Sequence, residues 1–272
     1  MRTAGVLSAT CQPRLVQRVR PMLGFTLVEM AVVLVVVSLV LGSLLVPLAS
    51  QVEQRRIEGT EQTLEQARDA VLAFAAVRGR LPCPADATGG QEKVTMATGA
   101  CASNPGFLPA VTLGLSPVDA EGYARDGWGL QQNRVRYAVR SATVNGVSDV
   151  FTKTGGIKTA GMPNINAFSD ANGLLYVCNT AGGASASGCA NAQSTLTSEG
   201  VAVIWSVGAN AATGGVSADE LENPNPNSAG NLDRVFVSRP AGSVAGAEFD
   251  DQMVWITPPI LFQRMIAAGQ LP

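Results

Sequence analysis

The sequence predicts an α+β fold in which a long N-terminal helix, membrane-spanning at its start, packs on an antiparallel β-sheet head. An apolar run covers residues 24–49, and an amphipathic segment follows it to residue 78. Short apolar or alternating segments then recur to the end of the chain, between stretches rich in glycine, asparagine and proline. A helix followed by consecutive strands indicates a sheet that covers the apolar side of the helix.

The first predicted element is one helix over residues 25–78, with Gly79 as its C-cap. Its apolar part is long enough to cross a bilayer, which takes about 20 residues. In the second part, side chains recur at steps of three and four residues, as in a helix that buries one face. These side chains are Ile57, Thr60, Leu64, Ala67, Val71 and Phe74.

The clearest strand signal lies at residues 134–140, where Val135, Tyr137 and Val139 alternate with other residues and therefore share one face. The remaining predicted elements are strands at residues 174–178, 201–207, 234–238 and 253–257 and a closing helix at 258–268. We expect all of them in a single head domain.

Composition excludes several classes of function. The chain has 272 residues, with 19 Lys and Arg, 21 Asp and Glu, and no His. Without histidine, the common Ser-His-Asp, Cys-His and zinc-hydrolase sites cannot form, and we expect no enzyme. Acidic residues outnumber basic ones, so the sequence predicts no general affinity for nucleic acid.

A single carboxylate, Glu29, lies near the start of the apolar run. An ionised side chain inside a membrane is costly unless it is paired, so such a residue is a candidate functional site. Cleavage after Gly24 would supply a partner, because Phe25 would then carry a free amine. The amine of a neighbouring copy could neutralise Glu29 when subunits stack.

Residues 24–30 read Gly-Phe-Thr-Leu-Val-Glu-Met, which closely resembles the processing site of type IV prepilins and type II secretion pseudopilins. The resemblance implies that a membrane peptidase cleaves after Gly24 and methylates Phe25. It also implies that Glu29 is the assembly glutamate. The resulting parts are a leader at 1–24, a helix at 25–79 and a periplasmic head at 80–272.

Within that helix, residues 25–49 would form the transmembrane segment and filament core, and 50–79 the amphipathic part. The leader holds four arginines and no acid, which places its end of the chain in the cytoplasm and the head in the periplasm. The expected location is the inner membrane, or an extracellular filament after assembly. The expected partners are the prepilin peptidase/N-methyltransferase, other pilin or pseudopilin subunits, the inner-membrane assembly platform and membrane lipid.

The resemblance does not distinguish a type IV pilus from a type II secretion system. The expected function is a structural subunit, minor or specialised, of a type IV pilus-like filament, and the alternative within the class is a pseudopilin of type II secretion. From another class, the chain could be a membrane-anchored periplasmic binding protein or enzyme. A secretory signal peptide or a plain membrane anchor would also explain an apolar N-terminal run, but neither explains Gly24 together with Glu29.

Four cysteines remain after the leader. In an oxidising compartment they suggest two disulfides, and the pairing between sequence neighbours is favoured among three possible ones. This pairing joins Cys83 to Cys101 and Cys178 to Cys189.

Two loops carry further similarities to major pseudopilins. Residues 126–129, Asp-Gly-Trp-Gly, resemble a structural loop of that protein, and residues 206–219 resemble its C-terminal calcium loop. Closely spaced oxygen ligands are what Ca²⁺ requires. The candidate ligands are Asn210, Asp219, Glu222, Asp250 and Asp251; a solvated acidic turn without a metal is the alternative.

Overall fold

The structure is a computed structural model that describes residues 24, 26–95, 97–166, 175–186, 188–213, 215–224, 234–244 and 246–272, without the side chains of 43–49 and 165–166. The leader up to residue 23 and Phe25 lie outside the described residues. The chain divides into two compact units, Met1–Ser50 and Gln51–Pro272. The amphipathic part of the predicted helix therefore belongs to the same unit as the head.

Six α-helices lie in the described part of the chain. They are α1 (Leu27–Arg78), α2 (Ala110–Leu113), α3 (Gly156–Ala160), α4 (Met162–Asn166), α5 (Ala218–Glu222) and α6 (Pro258–Ala267). The long first helix and the closing helix were both predicted. Gly79 ends α1 with a positive φ of 68°, and its N–H donates to Ala75 O at 2.9 Å, as expected for a C-cap.

The described strands are β1 (Gly106–Phe107), β2 (Arg136–Val139), β3 (Leu175–Cys178), β4 (Thr195–Gly200), β5 (Ala202–Ser206), β6 (Val235–Val237) and β7 (Gln252–Ile256). One sheet has the order β1-β2-β5-β7, and all of its pairs are antiparallel. Strands β2, β3, β5, β6 and β7 coincide with predicted segments to within two residues. The predicted α+β class with an antiparallel sheet is confirmed.

The apolar stripe of α1 lies on this sheet. Leu64, Ala67 and Val71 are at most 1% exposed and form one cluster with Tyr137 and Val139 of β2. The opposite face of the same strand is also buried, because a second sheet packs against it. The periodicity of α1 predicted the first contact but not the second.

The second sheet has the order β4-β3-β6, and here the expectation of antiparallel pairing alone is wrong. β3 pairs with β6 in parallel. Side chains between the two sheets form a second core, in which Trp205 of β5 meets Phe236 of β6 edge to face with ring centres 5.0 Å apart. A parallel pair requires a long connection rather than a hairpin, and more than 50 residues separate these two strands.

Both disulfides of the favoured pairing are present. Cys83 and Cys101 lie 18 residues apart in sequence, and Cys178 and Cys189 lie 11 apart. Each bridge closes a loop made mostly of small and polar residues. Within the described part of the chain, no helix combines the length and the apolarity of a membrane span.

Candidate functional site

The N-terminal motif passes from irregular chain directly into α1. Gly24 is exposed and lies before the helix, which begins at Leu27. The hydroxyl of Thr26 accepts a hydrogen bond from the backbone N–H of Glu29 at 3.2 Å. Thr26 is therefore the N-cap, and Glu29 lies in the first turn, where the helix dipole favours negative charge.

This cap is a functional feature that the sequence analysis missed. The spacing Thr-x-x-Glu is a capping-box pattern, so Thr26 and Glu29 carried the signal. The cap orders the backbone between the two residues and so sets the position of Glu29 relative to the start of the helix. Phe25, the residue expected to be methylated, lies outside the described residues.

A second candidate site lies at one end of the four-stranded sheet. β5 ends at Ser206, which pairs with Gln252 at the start of the antiparallel strand β7. The loop after β5 and the chain entering β7 therefore emerge at the same end. They meet at Glu220 of α5, whose Oε1 accepts hydrogen bonds from Asn210 Nδ2 at 3.0 Å and from the Asp250 N–H at 3.2 Å.

Three carboxylates, Glu220, Asp250 and Asp251, form an acidic cluster at this end, with one oxygen of each within 4.8 Å of the others. Glu220 is 2% exposed and Asp251 is 7% exposed, whereas Asp250 is half-buried. Two of these residues, Asp250 and Asp251, were predicted ligands. Glu220 was not predicted.

Glu220 is held in place by the start of α5. Its Oε2 accepts the N–H groups of Val216 at 2.8 Å and Ser217 at 3.2 Å, and the Ser217 hydroxyl accepts the N–H of Glu220 at 3.3 Å. This reciprocal arrangement is a capping box. Every oxygen of Glu220 is thus hydrogen-bonded, and its negative charge points into the cluster.

Three other oxygens at the site are buried without a hydrogen-bond partner among the described residues. They are Asn210 Oδ1, Asp250 Oδ1 and Asp251 Oδ1. The second oxygen of each aspartate is satisfied, Oδ2 of Asp250 by the Ala209 N–H at 2.9 Å and Oδ2 of Asp251 by Asn223 Nδ2 at 2.6 Å. A buried acceptor without a donor is costly, so these three oxygens are free to accept a donor or to bind a cation.

Electrostatics support the same interpretation. Burial, with a smaller contribution from the neighbouring Glu220, raises the pKa of Asp250 from 3.8 to about 6. Burial also raises the pKa of Asp251 well above its usual value, and Asp250 and Glu220 add to this effect, while Arg136 opposes it. The ionised forms of both carboxyl groups are thus poorly stabilised by the groups around them.

The donor set suits a hard divalent cation. Ca²⁺ takes six to eight oxygen ligands from carboxylates, amide oxygens, carbonyls and water. Asp250, Asp251 and Asn210 each offer an unused oxygen, and Glu220 supplies charge. Gly208, with φ of 60°, makes room for Asp250, since a Cβ there would lie 2.1 Å from Asp250 Oδ1.

The other two predicted ligands lie elsewhere. Asp219 accepts hydrogen bonds from Thr180 and Ala181 and pairs with Arg239 Nε at 2.6 Å. Glu222 is half-buried at the end of α5 and is not a member of the three-carboxylate group.

The loop at residues 126–129 is structural, as expected. The Gly127 N–H donates to Thr60 Oγ1 of α1 at 2.9 Å, and a Cβ on Gly127 would lie 2.1 Å from Arg56 O. Asp126 is buried and accepts a hydrogen bond from the hydroxyl of Ser206 at the end of β5. The Asp-Gly-Trp-Gly loop thereby joins α1 to the sheet.

Comparison with known proteins identifies the N-terminal segment. Residues 20–45 match the family model described as the prokaryotic N-terminal methylation motif, the prepilin-type signal of pilins and pseudopilins. No curated protein and no solved structure matched the chain. The motif supports a pilin-like or pseudopilin protein of structural type, and its match includes Gly24, Phe25 and Glu29.

Proposed function

We propose that the chain is a structural subunit, minor or specialised, of a type IV pilus-like filament. The observation that carries this proposal is the methylation motif at residues 20–45. The α+β head also supports it, because the apolar stripe of a long N-terminal helix lies on an antiparallel sheet. Pilins and pseudopilins have heads of this kind, so the resemblance extends beyond the motif.

The proposed processing begins at the leader. A membrane peptidase cleaves after Gly24 and methylates the new N-terminal residue, Phe25. Thr26 then caps α1 directly behind the methylated amine, and its hydroxyl holds the backbone of Glu29 in the first turn at 3.2 Å. The carboxylate of Glu29 is thus presented at a set position near the start of the subunit.

Assembly is proposed to depend on that carboxylate. In a filament core, Glu29 of one subunit pairs with the Phe25 amine of a neighbour, because an ionised group in apolar surroundings is costly without a partner. Staggered arrangements leave the charge unpaired and are disfavoured. The partners are therefore other pilin-type subunits, the peptidase/N-methyltransferase, the assembly platform and membrane lipid.

The proposed location is the inner membrane, with residues 25–49 in the bilayer and the head in the periplasm. Four leader arginines favour retention of that end in the cytoplasm. The two disulfides support an oxidising compartment for the head.

We also propose that the head binds Ca²⁺ at the acidic cluster. When bound, the ion supplies positive charge to three carboxylates that repel one another. Asp250 and Asp251 contribute their unpartnered oxygens, Asn210 its amide oxygen, and Glu220 its charge. Asp219 and Glu222 are left out of this proposed ligand set.

A pseudopilin of type II secretion is the second candidate. Two observations together favour it: the Asp-Gly-Trp-Gly loop contacts α1, and an acidic cluster follows β5. Both resemble features of major pseudopilins. Co-isolation would distinguish the two candidates. A pilus subunit would be found in sheared surface filaments, whereas a pseudopilin would remain with the cell envelope and its loss would block protein secretion.

Mass spectrometry of the mature N-terminus tests the proposed function. Membrane protein from cells with an active prepilin peptidase should begin at methylated Phe25. The matched control is Gly24→Leu, which should keep its leader because the residue before the cleaved bond is changed. An intact wild-type leader, or a cut near Ser50, would refute the proposal.

A further inference from the structure

Helix α5 contacts two features of the head with neighbouring side chains. Glu220 points into the acidic cluster, and Asp219, the residue before it, points to the loop that the Cys178–Cys189 disulfide closes. Successive helix residues differ in direction by about 100°, so adjacent side chains can serve different sides of one helix. We call residues 179–188 the disulfide loop.

Asp219 holds the disulfide loop by two contacts and is itself held by a third. Its Oδ1 accepts the N–H of Ala181 at 2.7 Å and the hydroxyl of Thr180 at 3.1 Å. Its Oδ2 pairs with Arg239 Nε at 2.6 Å, and the Arg239 guanidinium lies over the ring of Phe249, 4.7 Å from the ring centre. Phe249 immediately precedes Asp250, so both ends of this chain of contacts lead back to the acidic cluster.

Besides the contacts with Asp219, the disulfide loop is held by its bridge, by the pairing of Ser185 with Gly188, and by the packing of Ala181 and Ala184 against a small apolar cluster. Its described residues are mostly small, and Asn179, Gly182 and Gly183 are exposed. The helix that holds it has only five residues, Ala218–Glu222, and a helix of that length is not stable by itself. The position of α5 therefore depends on the contacts of Glu220 and Asp219.

We propose that α5 couples cation binding at the acidic cluster to the order of the disulfide loop, with Asp219 as the positioning residue. This inference rests on the proposed cation site. Without the cation, repulsion between Glu220, Asp250 and Asp251 opposes the placement of α5. With the cation, Glu220 is fixed, and Asp219 in turn fixes Ala181. The loop then presents one defined surface only in the loaded protein.

Hydrogen exchange of the full chain in detergent tests the coupling residue by residue. The Ala181 amide reports on the loop, because its acceptor is Asp219. The amides of Glu220 and Asp250 report on the cluster. At a Ca²⁺ concentration of about 100 times the Kd, any opening that releases the ion is suppressed about 100-fold. We expect all three amides to exchange about 100-fold more slowly than in chelator.

The outcomes separate this inference from the proposed cation site. If the amides of Glu220 and Asp250 slow but Ala181 does not, the coupling is refuted and the cation site stands. If none of them slows, the cation site is refuted and the coupling with it.

One variant should remove only the link between α5 and the disulfide loop. Asp219→Ala should keep the Ca²⁺ protection of the Glu220 and Asp250 amides and lose that of Ala181. Glu222→Gln, on the same helix, is the matched control and should behave as the wild type. Retained protection of Ala181 in Asp219→Ala would overturn the role of Asp219. If that variant does not fold, Thr180→Val, which removes one of the two contacts between Asp219 and the disulfide loop, should reduce the protection of Ala181 severalfold.

Discussion

Replacing Asp250 by asparagine should change stability in opposite directions with and without Ca²⁺. The carboxylate is half-buried beside Glu220, and its Oδ1 has no hydrogen-bond partner among the described residues. Asparagine has nearly the same shape and can still accept the Ala209 N–H, now 2.9 Å from Oδ2, through its amide oxygen. The substitution therefore removes charge with little change in packing.

The magnitude follows from the pKa of Asp250, which burial raises from 3.8 to about 6. A group whose pKa is higher in the folded protein loses stability as the pH rises from the unfolded value to the folded one. At about 1.4 kcal/mol per pKa unit, the full cost at pH 7 would be about 3 kcal/mol. Solvent screens a half-buried group, so we expect a gain of about 1 kcal/mol for Asp250→Asn in chelator.

Ca²⁺ should reverse the order of the two proteins. At about 100 times the Kd, the ion stabilises the wild type by about 2.7 kcal/mol, and Asp250→Asn should gain almost nothing. The assay is urea unfolding of the full chain in detergent at pH 7, with chelator and with Ca²⁺. Asp69→Asn, at an exposed site on α1, is the control and should follow the wild type.

Two results would refute this reasoning. If Asp250→Asn is less stable than the wild type in chelator, the carboxylate is not a source of repulsion in the metal-free head. If Ca²⁺ stabilises Asp250→Asn as much as the wild type, Asp250 is not a ligand.

Three further predictions concern assembly and the head. Glu29→Leu should still be cleaved and inserted but enter sheared filaments at least about tenfold less, since a lost pairing of 1.4 kcal/mol is a factor of ten; normal incorporation would exclude Glu29 from assembly. Gly127→Ala should lower the free energy of unfolding by about 2 kcal/mol in urea titrations, because its Cβ would lie 2.1 Å from Arg56 O; an unchanged midpoint would contradict this close approach. Replacing Cys178 and Cys189 together by serine should cost about 3 kcal/mol by the same measurement, and a loss below 1 kcal/mol would show that the bridge adds little.

The sequence by itself determined the features that depend on neighbours along the chain. The motif around Gly24 and Glu29 is a linear signal, so its recognition needed no fold. The stripe of α1 followed from helix periodicity, and the favoured cysteine pairing agreed with the structure because each bridge closes a short loop. Strands with regular alternation, such as β2, were also predicted.

Elements without a local signal were not predicted. β4 consists mainly of polar and small residues, Thr-Leu-Thr-Ser-Glu-Gly, and it forms a strand because β3 supplies its partner. The parallel pairing of β3 with β6, and hence the second sheet, depends on contacts between segments more than 50 residues apart. Tertiary packing decided both features.

The acidic cluster shows most clearly which features the sequence predicted and which the tertiary structure decided. Asp250 and Asp251 were predicted ligands, but sequence spacing could not distinguish Asp219, Glu220 and Glu222 within one helical segment. Adjacent residues of α5 point in different directions, so its orientation in the head assigns Glu220 to the cluster and Asp219 to the disulfide loop. The antiparallel pairing of β5 with β7 brings Asn210 to the same end of the sheet as Asp250, which lies 40 residues further along the chain. Both the helix orientation and the register are set by core packing, which no local stretch of sequence contains.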